Sequence, residues 1–181
     1  MALGRARVPK PHSCRGRGKV ARFESSVRID RPVEEVFAFL TELGNSTQWQ
    51  SWLVESVKTS EGPVGLGTTC REVRRLLGLQ IETTGEVTEW EPNRRTTIKS
   101  TSGPVSMQGT CTFEPVEGGT RVTAVTQVDI GGLFNLAGPA LGRIAQRQID
   151  TDVATLKDLL ESGDGGKSAN ETVGLSGPIK S

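Results

Sequence analysis

The chain contains no tyrosine, and its one histidine, His12, lies in a Gly-, Arg- and Pro-rich stretch near the start. These two absences remove most of the common catalytic kits from the folded core. A Ser-His-Asp triad, a Cys-His pair, an H-E-x-x-H zinc site and a histidine general base all need an imidazole. A tyrosine acid or oxyanion donor is equally excluded. What remains for chemistry is carboxylates, Arg and Lys, Ser and Thr, Asn and Gln, and three cysteines, so a binding protein starts ahead of an enzyme. No apolar run approaches the ~20 residues of a membrane-spanning helix, so stable membrane insertion is not expected. With 34% hydrophobic and 24% charged residues in a chain of 181, the composition is that of one soluble globular domain with slack at its ends.

Cysteine is scarce and badly spaced for pairing. Cys14, Cys70 and Cys111 are odd in number, far apart and without a C-x-x-C. That excludes a disulfide framework and a zinc ribbon and suits a reducing, cytoplasmic setting, as does the lack of a secretory signal. Cys70 and Cys111 fall in strand-like runs, where Cys behaves as a small buried hydrophobe; a reactive or pairing thiol is the alternative. No metal site and no cofactor site is visible.

Charge is segregated. Residues 1–19 carry Arg5, Arg7, Lys10, Arg15, Arg17 and Lys19 and no acid, whereas residues 20–162 hold 14 bases against 19 acids, a net −5. A basic leader on an acidic domain is able to touch an anionic surface. Nucleic acid is not an expected partner, because the domain is net acidic and the leader has no aromatics for base stacking. The leader 1–19 and the Gly/Ser-rich tail 163–181 are expected to be disordered, leaving 20–162 as the folded domain.

Within that domain, Ala21–Asp30 alternates as a half-buried strand, with Phe23, Ser25, Val27 and Ile29 on one face. A short helix follows, marked by the stripe Val33, Val36, Phe37 and Leu40, with Asp30 placed to cap it and Pro32 suited to its first turn. Thr47–Trp52 reads as a second helical turn. Six strand-like runs come next: Leu53–Thr59, Thr68–Leu77, Leu79–Glu91, Arg94–Thr101, Val105–Glu114 and Thr120–Ile130. The turns between them are short, which forces antiparallel neighbours. Ile149, Val153, Leu156 and Leu160, preceded by Leu141, Ile144 and Ala145, then mark a long amphipathic helix of ~20 residues that Pro139 bends or begins. The expectation is an α+β fold: a curved antiparallel sheet of about seven strands wrapped around a long C-terminal helix, with two short helices after the first strand.

The inward register of the sheet is rich in small side chains: Thr83 and Gly85, Ile98 and Ser100, Met107, Gly109 and Cys111, Ala124 and Thr126. Small residues on a curved sheet leave volume beneath the helix, and such spaces hold apolar ligands. The other reading is a core that closes up, with Trp49, Trp52 and Trp90 filling the space. The candidate ligand-lining residues are Trp49 and Trp52 from the second helical region; Cys70, Thr83 and Trp90 from the early strands; Ile98, Ser100, Met107, Cys111 and Thr126 from the later ones; and Leu136 and Leu141 at the start of the long helix. The strand Thr68–Leu77 is anomalous, since either register turns charge inward. Glu72 and Arg74 lie two apart on one face, so they pair with each other at a solvated rim or face a ligand.

Several stretches resemble one known superfamily. They are Ser26-Val-Arg-Ile-Asp-Arg-Pro-Val-Glu-Glu-Val-Phe-Ala-Phe-Leu-Thr-Glu-Leu with Trp49, Glu61-Gly-Pro-Val-Gly-Leu-Gly-Thr, Val87-Thr-Glu-Trp-Glu-Pro-Asn-Arg-Arg, Phe113-Glu-Pro-Val-Glu-Gly-Gly-Thr-Arg-Val and Asp152-Val-Ala-Thr-Leu-Lys-Asp-Leu-Leu-Glu. Together they are similar to the START-related polyketide cyclase/dehydrase superfamily over about residues 22–161. The resemblance implies a helix-grip fold with a hydrophobic cavity between sheet and C-terminal helix, and a lipid, sterol, polyketide or other apolar ligand. A minority of members catalyse cyclisation, dehydration or hydrolysis, and many bacterial members carry the label without a demonstrated reaction. Three functions are therefore in view. The first, and favoured, is a binder of a small hydrophobic molecule. The second is a cyclase- or dehydratase-like enzyme in which Arg74 polarises a carbonyl and Glu72 is the general base. The third is a module that binds a partner or a membrane surface through residues 1–19 and takes no ligand. The pattern specifies no oligomeric state.

Overall fold

The structure, a computed structural model, describes residues 20–76, 78–129 and 138–163. The expectations for the leader 1–19, for Leu136 and for the tail from residue 164 onward concern residues outside this set, as do those for the Leu141 side chain.

Strand β1 (Val20–Ile29) is followed by helix α1 (Val33–Thr41), a 3-10 turn (Leu43–Asn45) and the short helix α2 (Ser46–Trp49). Six strands follow: β2 (Leu53–Lys58), β3 (Thr69–Leu76), β4 (Leu79–Glu91), β5 (Arg95–Ser102), β6 (Ser106–Val116) and β7 (Gly119–Asp129). Helix α3 (Gly138–Ser162) closes the described fold; its 25 residues exceed the expected ~20 and span about 37 Å. Pro139 stands in its first turn, where a missing N–H costs nothing, so it begins the helix rather than bending it. Asp30 does not cap α1 as expected. Pro32 holds the N-cap position with no side-chain cap, while the Asp30 carboxylate pairs with Arg28 at 3.2 Å.

All seven strands form one antiparallel sheet in the order β1-β7-β6-β5-β4-β3-β2. The hairpins alternate between its two ends, so the β3–β4 and β5–β6 turns and the start of β1 share one end, with Val20 opposite Asp129 and Ser106 opposite the same residue. Turns β2–β3, β4–β5 and β6–β7 share the other. Register shifts between Leu53 and Glu55, Thr84 and Gly85, and Val87 and Glu89 insert bulges into the β2–β5 half. Bulges add local twist and bend, which curls that half of the sheet.

The dense core sits at the end covered by α1. Ile29, Phe37, Leu40, Phe113, Val122 and Leu156 are buried in one cluster. Phe37 packs edge-on against both Trp90 and Phe113, with ring centroids 5.1 Å apart in each pair. Helix α3 is fastened at this same end. The Arg31 guanidinium donates to the terminal carbonyls of Leu160 (2.8 Å) and Glu161 (3.1 Å), and Lys157 Nζ donates to the Arg28 carbonyl at 2.9 Å. The two bonds from Arg31 satisfy carbonyls that a helix end leaves without partners. The Glu161 carboxylate accepts from Lys157 and from the Asp30 amide, and these two donors hold it below the usual carboxylate range. Away from this end the inward side chains of β4 to β7 become small, and a space opens between these strands and α3.

Candidate functional site

Between the sheet, α2 and the middle of α3 lies a cavity of about 170 Å³. Each wall follows from a simple periodicity. On β4 to β7, alternation turns Thr83, Ile98, Met107, Cys111 and Thr126 inward, and all five line the space. On α3, Ile149, Asp152 and Val153 stand at i, i+3 and i+4 and form one stripe over it. Leu40 and Trp49 close the side nearest the core. Gly109 is part of the reason the cavity exists, because a Cβ built there meets nothing within 4 Å. Gly85 is a different case: its Cβ would lie 3.2 Å from Ile98 Cγ2 and 3.3 Å from the Cys70 sulfur.

The lining is mostly apolar with scattered hydroxyls, and its charged side chains gather at one corner. There, Arg74 Nη1 donates to Glu72 Oε2 at 2.5 Å and Arg74 Nη2 lies 3.5 Å from Gln50 Oε1. The two charged side chains keep only 14% (Glu72) and 20% (Arg74) of their exposure, so the pair is largely withdrawn from water and each partner depends on the other. Asp152 completes the corner. Its Oδ1 accepts from the Ser51 amide (3.2 Å), the Ser51 hydroxyl (2.8 Å) and Gln148 Nε2 (2.9 Å), which ties α3 to the turn after α2. A guanidinium has five N–H donors, and the bonds to Glu72 and Gln50 leave others for a ligand oxygen. On the same wall the Trp49 indole N–H is buried and has no partner among the described residues. Burial pushes the Cys111 thiol up to about 11, and burial followed by the Glu72 charge pushes Cys70 to about 11 as well. Both are therefore neutral thiols at pH 7. Among the described residues no group of three His, Cys, Asp or Glu side chains is placed to hold a metal ion.

The fold separates the sequence-derived candidates. Trp49, Glu72, Arg74, Thr83, Ile98, Ser100, Met107, Cys111 and Thr126 line the cavity. Cys70 does not; it is buried behind Gly85, 1% exposed. Trp90 faces inward but lies at the α1 end, edge-on to Phe37. Trp52 sits in the turn before β2, where its carbonyl accepts from the Arg75 amide at 2.8 Å. Leu40, Gln50, Ile149, Asp152 and Val153 line the cavity and were not singled out from sequence. For Asp152 a signal was present: a carboxylate interrupting the apolar stripe between Ile149 and Val153.

A curled antiparallel sheet gripping a long helix over a mostly apolar cavity defines a helix-grip protein of the ligand-binding or polyketide-cyclase-like class. Residues 20–161 match the family described as "Polyketide cyclase / dehydrase and lipid transport", and the chain belongs to it. Solved structures agree in fold. A protein from Thermus thermophilus superposes with a TM-score of 0.68 at 19% identity, covering 79% of this chain and 99% of that one. A START superfamily protein from Mycobacterium smegmatis gives 0.67 at 12% identity, covering 78% and 97%. The di-domain ARO/CYC StfQ from the steffimycin biosynthetic pathway gives 0.65 at 16% identity, covering 82% of this chain and 54% of that one. No curated protein matches the chain by sequence. No helix among the described residues is long and apolar enough to cross a membrane.

Proposed function

We propose that the protein binds a small hydrophobic ligand between the sheet and α3, with a hydrogen-bond acceptor of that ligand directed to Arg74. The observation that carries this reading is the cavity itself: a mostly apolar space whose charged side chains gather at one corner, which orients an otherwise greasy molecule. Its volume supports a compact ligand. An apolar cavity of about 150 Å³ holds benzene, whereas drug-sized ligands occupy roughly 300 Å³ or more. At about 170 Å³ the space takes one ring or a short chain, and a lipid, sterol or multi-ring polyketide would extend beyond it.

Native mass spectrometry of gently purified protein tests this. A stoichiometric apolar adduct, extractable into organic solvent, is the expected result. A clean apo mass, together with failure of fatty acids, sterols and aromatic ketones to displace an apolar fluorescent probe at micromolar concentration, would overturn it.

The Glu72–Arg74 pair on the cavity wall favours one second reading, a cyclase- or dehydratase-like reaction. Arg74 would donate to a ligand carbonyl oxygen, and the Glu72 carboxylate would take a proton from the adjacent carbon. Unchanged turnover in Glu72→Gln would remove that assignment.

A further inference from the structure

One end of the molecule is built unlike the other. At the end shared by the β3–β4 and β5–β6 turns, Leu79 is 70% exposed, Ile144 on α3 is 53% exposed and Val20 is 58% exposed. Arg75, Arg143 and Arg147 are exposed there too, and their guanidinium groups have no partner among the described residues. The segment Ser51–Trp52 is bonded on one side to the end of β3 and on the other to α3. The Arg75 amide donates to Trp52, and the neighbouring Ser51 accepts from Gln148, one residue past Arg147. Gln80, next to Leu79, pairs with Arg75 across the hairpin. At the opposite end the turns β2–β3, β4–β5 and β6–β7 carry Glu61, Glu91 and Glu117 against Arg94, and α1 opens with Glu34 and Glu35, while Asp129, opposite Val20, is an acid at the arginine-bearing end. The six bases of residues 1–19, with no acid among them, precede Val20 at the arginine-bearing end.

We propose that this end docks peripherally on an anionic lipid bilayer, with Leu79 and Ile144 dipping into the headgroup region and Arg75, Arg143 and Arg147 meeting lipid phosphates. Separated charge of this kind orients the molecule before contact, because the acidic end is repelled while the basic end is drawn in. Isolated exposed leucines are common on any surface; it is the three unpaired arginines at the same end as these apolar tips that select a negatively charged, partly apolar partner. Ser100 and Met107, at the head of the β5–β6 turn, carry the cavity wall toward the same end, so the docked face is the one nearest the cavity. The proposal does not depend on what the cavity holds.

Vesicle flotation of the full-length chain is the test, with phosphatidylcholine alone and with phosphatidylglycerol added. Binding is expected only to the anionic vesicles, and it is expected to disappear when salt shortens the screening length to about 3 Å. The triple substitution Arg75→Gln, Arg143→Gln, Arg147→Gln is expected to weaken binding roughly fivefold per arginine, on the order of a hundredfold in all. Leu79→Asn with Ile144→Asn is expected to weaken it about tenfold. Arg94→Gln, on the acidic end, is expected to leave it unchanged. All these positions are exposed, and an unaltered thermal melt checks that each variant is folded. Four outcomes overturn the proposal: equal binding to neutral vesicles, no binding to anionic ones, unchanged affinity in either multiple variant, or an Arg94→Gln loss as large as the triple. Self-association abolished by the same substitutions would overturn it too, by assigning the face to a second copy.

Discussion

Glu72 and Arg74 show how much a single wall position constrains. They sit on one face of β3, bonded at 2.5 Å, and neither is free to lose the other without cost. Arg74→Met leaves a carboxylate against an apolar wall, so it is expected to destabilise the fold by about 1–3 kcal/mol in urea titration. Glu72→Gln keeps a neutral acceptor in place and is expected to cost less. The two thiols make the second prediction at this scale. Both have values near 11 in the fold against an ordinary 9.0, so the folded state holds its protons where the unfolded state releases them. Stability is then fully present below pH 9 and declines as pH rises toward 11. Chemical denaturation across that window is expected to show the fall, and Cys111→Ala to reduce it. Iodoacetamide at neutral pH is expected to leave Cys70 and Cys111 unmodified until denaturant is added.

Elements divide the labour between density and space. The two inward glycines separate these roles. Gly109→Val fills a volume where a Cβ has no neighbour within 4 Å, and it replaces a poor strand former with a good one. The expected outcome is a melting temperature equal to or above that of the parent, with probe binding lost. Gly85→Ala instead presses a methyl to 3.2 Å from Ile98 and 3.4 Å from the Lys99 carbonyl, so a loss of about 1–3 kcal/mol is expected in the same assay. Much of this layout was legible in the chain. Period-two runs between turn residues marked all seven strands, and the small inward residues marked the space beneath α3. What the pattern did not carry is position along the sheet. The Val87/Glu89 bulge turns Trp90 to the inward face, yet its place near the end of β4, paired with Thr96, puts it under α1. Cys70 also faces inward, but the adjacent Gly85 admits it into the wall rather than onto the surface of the cavity. Gln50 and Asp152 escaped notice because their role depends on the Ser51 turn meeting α3, a contact between residues 101 apart.

At the scale of the whole molecule, the fastening of α3 is unequal. Four described bonds join its last two turns to β1 and the residues just after it: two from Arg31, one from Lys157 and one to Glu161. Its middle is held by Asp152 to Ser51, and the part nearer the start has a single described bond to the sheet, from Gln146 Nε2 to the Glu24 carbonyl at 2.9 Å. Asp152→Ala removes two of the three described bonds between the middle of the helix and Ser51. It is expected to lower stability by about 1–3 kcal/mol and to speed release of a bound probe, measured by stopped-flow fluorescence. In mechanical terms α3 is a cantilever: clamped beyond Leu156, propped at Asp152 and sprung toward Gly138. A beam held that way bends farthest from its clamp, so amide exchange along the helix is expected to quicken steadily from Leu160 back toward Arg143. On the reading proposed above, the stiffness of that spring and the resting volume beneath it together set the largest molecule admitted.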